Sequence, residues 1–232
     1  MKEQRSNLGL ELISSLRESE LSGVAEEIAE MALDSVLKDG IAKDIPVFGW
    51  LLKFHGAYKN ISERIFLRKV AYFLQGASRA SPDERVKFAQ KIRSKKDYQK
   101  RVGENLILLI ERHERFEKSL LLGRLFASVM RGALSHELFM RLSAALDKAM
   151  IEDLEILKGS EKEGDSLHDH FEGLYRCGLM DLNLSVTPLN RRAMEMGMQR
   201  GVELERRVEV RYKLNELGNL FIGHALEVDI DK

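Results

Sequence analysis

The sequence lacks the features that most often constrain a fold or reveal a reaction. Of its 232 residues, one is cysteine, one is tryptophan and three are proline. The single cysteine, Cys177, excludes an internal disulfide, and no apolar run approaches the ~20 residues of a membrane-spanning helix. The N-terminal segment also has no apolar core like that of a signal peptide. We therefore expect a cytoplasmic protein, and 44% hydrophobic residues are enough to bury a full core.

Motifs for catalysis and cofactor binding are also missing. No GxxxxGK or GxGxxG phosphate loop occurs, and "RHERFE" lacks the second histidine of a zinc-protease helix. His168, His170 and Cys177 offer zinc-ligand chemistry, but helical residues two apart point about 200° from each other. Two polar surface histidines and a small buried cysteine fit this spacing better. We expect no enzyme, with no catalytic residue, metal, cofactor or small-molecule substrate.

Net charge is zero, but the charges are unevenly distributed. Residues 1–40 carry 4 Lys/Arg against 9 Asp/Glu, whereas residues 41–100 carry 14 against 5. The second block is a candidate surface for nucleic acid, acidic lipid or an acidic partner. Alternatively, the acidic first block folds back onto it.

Helical periodicity dominates as far as residue 160. Apolar residues recur at intervals of three and four, with charged residues between them, which predicts a helical bundle. In "SPDERVKFAQKI", Ser81 is a predicted N-cap, Pro82 takes the first helical position and Glu84 reaches back to complete a capping box. Ile61 and Ile65 continue an apolar stripe that starts at Val47.

The segment "KDIPVFGWLLKFHGAYKN", residues 43–60, places Gly49 and Gly56 inside a helical apolar pattern beside the only tryptophan, Trp50. Glycine inside a helix costs about 1 kcal/mol relative to alanine, so the pair calls for a compensating role. Close packing of another helix, within the chain or between subunits, is one explanation. Others are an interfacial membrane surface and a ligand pocket. In the membrane alternative Phe48 and Trp50 insert, while nearby cations contact anionic headgroups. The candidates for this partner or membrane surface are Phe48, Gly49, Trp50, Lys53, Gly56, Arg64, Arg68 and Lys69.

Strand periodicity appears only near the C-terminus. Leu182, Leu184 and Val186 alternate with polar residues, and "VEVRYKL" repeats the pattern. These two segments predict an antiparallel pair with an inward apolar face. The long connection between them predicts a helix that begins at Thr187 and Pro188.

Segments of the sequence resemble two known groups of proteins. A helix ending near Gly178, then "GLMDLNLSV", a connector and "VRYKLNELGNLF", resembles a winged-helix module over about 75 residues, with a long insertion in the wing. Separately, "DGIAKDIPVFG", "SERIFLRKVAYFL" and "GALSHELFMRLSAAL" are similar to an uncharacterised prokaryotic family of helical proteins associated with mobile elements and phage defence. The second resemblance implies a bacterial interaction or effector role and assigns no catalytic residue.

In a winged-helix regulator the third helix enters the major groove and needs outward cations. Here that helix carries Asp165, Asp169 and Glu172 with one cation, Arg176, so DNA binding is the less expected role. The candidate nucleic-acid residues lie in the wing: Arg191, Arg192, Arg200, Arg206 and Arg207.

Together these patterns predict a mainly α protein in two parts. Residues 1–150 form a helical bundle with a basic, glycine-notched segment at 43–75. Residues 151–232 form a winged-helix-like domain with a two-stranded antiparallel hairpin and an insertion at 187–207. We expect a non-enzymatic interaction or effector protein of the cytoplasm. It binds a protein partner or a second copy of itself, or contacts the inner face of the membrane. A DNA-binding regulator is the alternative.

Overall fold

The helical periodicity is realised in a mainly helical chain, which confirms the predicted class. The computed structural model describes residues 2–18, 21, 23, 25, 45–54, 61–157, 168–188 and 206–226. The helices are α1 (Lys2–Ser15), α2 (Pro46–Phe54), α3 (Ile61–Ala77), α4 (Pro82–Arg93), α5 (Lys96–Arg112), α6 (Phe116–Met130), α7 (His136–Lys148), α8 (Ile151–Ile156), α9 (His168–Arg176) and α10 (Glu216–Phe221). A π-helical turn, Ile222–Leu226, follows α10 directly.

The centre of the bundle is the pair α3 and α6. α6 is apolar around most of its circumference, as expected for a helix that is surrounded by other elements. α3, α4 and α7 pack around it, and α1 packs against α2 and α5. Phe126 lies at the core of this arrangement and contacts three other aromatic rings, those of Phe73, Phe88 and Phe139.

Two helix crossings depend on glycine. Gly9 of α1 faces Gly103 of α5, where an added Cβ would lie 2.6 Å from the Gly103 carbonyl carbon. Gly76 of α3 faces Gly123 of α6, and a Cβ on either residue would collide with the backbone of the other helix. Small residues therefore allow the two backbones to approach in each pair.

The prediction of one apolar stripe across residues 47–65 is wrong at its C-terminal end. Val47 is fully buried, but Ile61 is 77% exposed and Ile65 is 40% exposed. The buried face of α3 begins later, at Leu67 and Val70, because this part of the helix lies against α6.

The C-terminal part contains the predicted antiparallel hairpin. β1 (Met180–Pro188) pairs with β2 (Arg206–Leu214), with Leu182 opposite Tyr212 and Leu184 opposite Val210. The helix expected to begin at Thr187 and Pro188 is contradicted at its start, because both residues pair with β2. Residues 189–205, most of the predicted insertion, lie outside the described residues.

The chain returns to the bundle after the hairpin. Arg124 of α6 donates a hydrogen bond to the Ala225 carbonyl at 3.1 Å, and Nδ1 of His224 lies 3.1 Å from the hydroxyl of Ser128. The π-helical turn therefore packs on α6. The predicted boundary at residue 150 stays a prediction. Among the described residues, none of the helices has the length and apolarity needed to cross a bilayer.

Candidate binding surface

Exposed cations concentrate where α4 ends and α5 begins. We call residues 87–101 the α4–α5 corner; its only acidic residue is Asp97. Its seven Lys and Arg side chains are all exposed: Lys87, Lys91, Arg93, Lys95, Lys96, Lys100 and Arg101. Within the described part of the chain, none of the seven side chains forms an ion pair.

Helical spacing explains why these cations face outward. Arg85, Ala89 and Ile92 form the buried face of α4, so Lys87 and Lys91 lie on the other side. The capping box fixes where α4 starts: Oγ of Ser81 accepts from the Glu84 amide, and Oε2 of Glu84 accepts from the Ser81 amide at 2.8 Å. The pKa of Glu84 is lowered by these hydrogen bonds.

The start of α5 opposes local helix electrostatics. Lys95 is its N-cap residue and makes no side-chain capping hydrogen bond, and Lys96 follows in the first turn. Cations are unfavourable next to the partial positive charge of a helix N-terminus. Local rules that a sequence breaks often mark functional positions. Asp97 in the same turn offsets part of this charge, and Lys91 and Arg93 lie in the last turn of α4, where cations are favourable.

Aromatic rings near the corner serve the interior. Phe88 packs edge-on against Phe126 at 5.4 Å, and the Tyr98 ring lies 6.1 Å from that of His136. Neither ring is among the exposed large hydrophobic residues. Stacking on bases or insertion into lipid would need such rings at the surface.

The candidates on α2 prove to be mainly part of the core. Phe48 is fully buried and Trp50 is partly buried against the core. Gly49 is also partly buried, whereas Lys53 is exposed. Gly56 lies outside the described residues, so its pairing with Gly49 stays a prediction.

The candidate cations on α3 have internal contacts. The Arg68 guanidinium lies 4.7 Å from the centre of the Phe116 ring, and Nζ of Lys69 donates to the Glu111 carbonyl at 3.1 Å. Partial burial lowers the pKa of Lys69, with Glu111 opposing the shift. Arg64 is half-buried. Arg68 and Lys69 therefore connect α3 to neighbouring segments, and a binding role for the three cations stays a prediction.

The five predicted wing arginines fall into two groups. Arg191, Arg192 and Arg200 lie outside the described residues. Arg206 and Arg207 belong to β2, where they pair with Pro188 and Thr187 at the outer end of the hairpin. Their place on the hairpin is therefore known, but no nucleic-acid contact is tested.

One histidine lies near a serine and a carboxylate, and both the histidine and the serine are buried. His113 is 1% exposed, and its Nδ1 lies 3.4 Å from Oγ of the fully buried Ser119. Burial lowers the pKa of His113 to about 4, despite the nearby Asp147 carboxylate. Lys118 donates to the Asp147 carbonyl at 3.0 Å. The burial of His113 and Ser119 is typical of structural residues.

A second histidine pairs with a carboxylate at the junction of α8 and α9. Nδ1 of His170 lies 2.8 Å from Oδ1 of Asp153, whose side chain is 8% exposed. Gly173 leaves room for this carboxylate, because an added Cβ would collide with it. Cys177 is buried, which raises the pKa of its thiol. A buried thiol with a raised pKa is unreactive as a nucleophile. No group of three metal-ligating side chains comes together among the residues whose positions are described.

The comparisons with known proteins give no further guide. No protein-family model matches the chain, and no curated protein and no solved structure match it significantly.

The basic block predicted at residues 41–100 includes the α4–α5 corner, whose cations were not among the named candidates. The named cations were chosen for their closeness to the glycine-containing segment. The available signal was the alternation of buried and charged positions along α4, which separates outward Lys87 and Lys91 from inward Ala89 and Ile92.

Proposed function

We propose that this chain is a non-catalytic interaction protein and that the α4–α5 corner binds an acidic protein partner. The observation that carries the proposal is the group of seven exposed cations, which share residues 87–101 with one acidic residue and form no ion pair within the described part of the chain. Such a surface raises the association rate of an anionic partner and favours its orientation.

The corner lacks the features of base-specific readout, base stacking and membrane insertion. Five of the seven cations are lysines, which act as point charges and lack the bidentate geometry with which arginine reads guanine. Tyr98 and Phe88 face other rings, so they offer no stacking platform. No large apolar side chain between residues 82 and 101 is exposed enough to anchor in a membrane.

The DNA-binding alternative has less support from the described residues. On α9, Arg176 pairs with Glu172, and Asp169 is exposed. Phe171 and Tyr175 pack beside Tyr212 of the hairpin. An α9 with this surface repels the phosphate backbone. The winged-helix identification stays a prediction.

Charge reversal at the corner tests the proposal. The variant Lys91→Glu with Lys95→Glu removes two exposed cations, and Arg141→Glu with Lys148→Glu on α7 is the control with the same change in net charge. Binding is measured by fluorescence anisotropy with a labelled peptide of about 20 residues rich in glutamate and aspartate. A duplex DNA of about 20 base pairs and phosphatidylglycerol vesicles are the competing probes.

We expect the corner variant to weaken peptide binding about tenfold, equivalent to about 1.4 kcal/mol, while the control binds as the wild type does. If both variants lose peptide affinity equally, the effect depends on net charge alone, and the assignment of binding to this surface is wrong. If duplex DNA or vesicles bind more tightly than the peptide at physiological salt, the ligand of the corner is nucleic acid or lipid, and the proposal of an acidic protein partner is wrong.

A further inference from the structure

Three aromatic rings meet at the surface where α9 packs on the base of the hairpin. The centroid of the Tyr212 ring lies 6.3 Å from that of Phe171 and 6.2 Å from that of Tyr175. Tyr175 is 43% exposed, whereas Phe171 and Tyr212 are half-buried. The rings therefore cover the base of the hairpin on one side and present aromatic surface to solvent on the other.

Helical spacing explains why these rings lie at the surface. Phe171 and Tyr175 are four residues apart, so they project from the same side of α9, beside β2. Leu174 and Cys177 are buried and belong to a different side of the helix. The exposed part of the Tyr175 ring is thus not needed to bury α9 against its neighbours.

Two carboxylates lie beside the rings. Glu172 is three residues before Tyr175, which places it about 60° away around the axis of α9, and Asp169 is one turn earlier. Asp169 is exposed, and the Glu172 side chain is 40% exposed. Partial burial raises the pKa of the Tyr212 hydroxyl, and the two carboxylates raise it further, so both charges act on the aromatic cluster. We call Asp169, Phe171, Glu172, Tyr175 and Tyr212 the α9 patch.

The one Lys or Arg residue of α9 does not stack on this patch. Arg176 pairs with Glu172 at 2.5 Å, and its side chain is 75% exposed. Within the described part of the chain, the guanidinium that lies over a ring is that of Arg68, and Arg176 makes no such contact. The exposed side of Tyr175 therefore has no cation of α9 over it.

Aromatic rings with adjacent carboxylates have the chemistry that recognises a guanidinium group. The faces of aromatic rings carry negative potential and attract cations, arginine more often than lysine. A guanidinium is planar, stacks on such rings and donates two parallel hydrogen bonds to a carboxylate. It is also more weakly hydrated than an ammonium group, so less hydration is lost on contact with a ring.

We propose that the α9 patch binds an arginine side chain of a basic protein segment. The guanidinium stacks on the exposed side of Tyr175 and donates to Glu172, while Asp169 attracts a neighbouring cation of the same segment. The complementary charge of the segment is what the two carboxylates supply.

A protein segment is the favoured source of the guanidinium because the α9 patch is an open surface. Small free ligands are usually enclosed on most sides, whereas tyrosine and arginine are enriched where proteins meet. The α9 patch shares no residue with the α4–α5 corner. Its cationic ligand is therefore independent of the acidic partner proposed there, and each surface has its own variants.

Fluorescence anisotropy of the full chain with a labelled peptide of about 15 residues, rich in arginine and serine, tests the proposal. A second peptide carries lysine in place of arginine. We expect the arginine peptide to bind about threefold more tightly than the lysine peptide, because lysine lacks the planar group.

The carboxylates are tested by Asp169→Asn with Glu172→Gln. The control is Glu114→Gln with Glu137→Gln, which changes the net charge equally at two exposed carboxylates outside the α9 patch. We expect the patch variant to bind the arginine peptide about tenfold more weakly, while the control binds as the wild type does.

Substitutions of Tyr175 test the stacking itself. Tyr175→Leu keeps an apolar side chain without a ring, and we expect it to weaken binding about threefold. Tyr175→Trp should strengthen binding about twofold, because tryptophan attracts cations best, and a gain of affinity does not result from misfolding. The proposal is wrong if the wild type does not bind the arginine peptide at low salt or if the patch and control variants lose affinity equally. It is also wrong if both substitutions of Tyr175 leave the affinity unchanged.

Discussion

Gly76 and Gly123 lie face to face where α3 crosses α6, and neither position has room for a Cβ. The same arrangement recurs where Gly9 meets Gly103 between α1 and α5. Both crossings bring backbone against backbone, which larger side chains would prevent. The central helix pair of the bundle therefore requires residues without a Cβ at both of these positions.

Gly123→Ala should lower the free energy of unfolding by about 3 kcal/mol, since the new methyl group displaces the α3 backbone. This loss exceeds the gain of about 1 kcal/mol in helix propensity. The measurement is urea denaturation, followed by circular dichroism. Gly223→Ala is the control, because an added Cβ there meets nothing within 4 Å. A midpoint for Gly123→Ala equal to that of the wild type would contradict the close crossing.

The stability of the protein should fall between pH 7 and pH 5 through His113. Burial lowers its folded pKa to about 4 from the ordinary 6.5, so the unfolded chain binds the proton first as the pH falls. Asp147 opposes this shift, while Lys118, Lys69 and Arg112 add to it. Stability from this residue is complete above pH 6.5 and is lost progressively toward pH 4, by about 2 kcal/mol at pH 5.

His113→Asn isolates this contribution, because the amide can still meet the Ser119 hydroxyl but does not titrate. Urea denaturation of both proteins at pH 7 and pH 5 measures how much the free energy of unfolding of each protein changes over this interval. We expect the variant to lose about 2 kcal/mol less than the wild type over this interval. Equal losses in the two proteins would show that His113 is accessible to protons in the folded state.

The sequence predicted features that depend on local chemistry. The capping box at Ser81 and Glu84 was readable because both hydrogen bonds lie within four residues. The antiparallel pairing of β1 with β2 was expected from the period of two, which also predicts which residues share a face.

Features that depend on distant contacts were not predictable in the same way. The close packing inferred for Gly49 and Gly56 stays a prediction, because Gly56 lies outside the described residues. The pairs that lie in contact, Gly9 with Gly103 and Gly76 with Gly123, are distant in sequence. The exposure of Leu184 also could not be read from alternation, since the pattern does not say where a covering helix ends.

Ser81→Ala should lower the free energy of unfolding by about 1 kcal/mol, because the Glu84 amide at the start of α4 loses its acceptor. Ser81→Asn is the matched control, since asparagine caps helices equally well. Chemical denaturation of the three proteins in parallel measures the effect. Similar losses in both variants would show that the position is sensitive to any substitution and that the cap itself contributes little.

Trp50 reports whether α2 leaves the core in the presence of lipid. Phe48 is fully buried and Leu51 is 3% exposed, so insertion of this helix into a membrane would require both side chains to abandon their contacts. Because Trp50 is the only tryptophan, its emission describes this helix alone. We expect the emission maximum to stay unchanged when phosphatidylglycerol vesicles are added, with phosphatidylcholine vesicles as the control.

Co-sedimentation with the same vesicles separates the two possible membrane-binding surfaces. If the protein sediments with anionic vesicles while its emission maximum is unchanged, the α4–α5 corner binds the lipid. The variant with Lys91→Glu and Lys95→Glu should then stay in the supernatant. A blue shift that grows with the anionic lipid fraction would instead identify α2 as a membrane-binding segment and would contradict its place in the core.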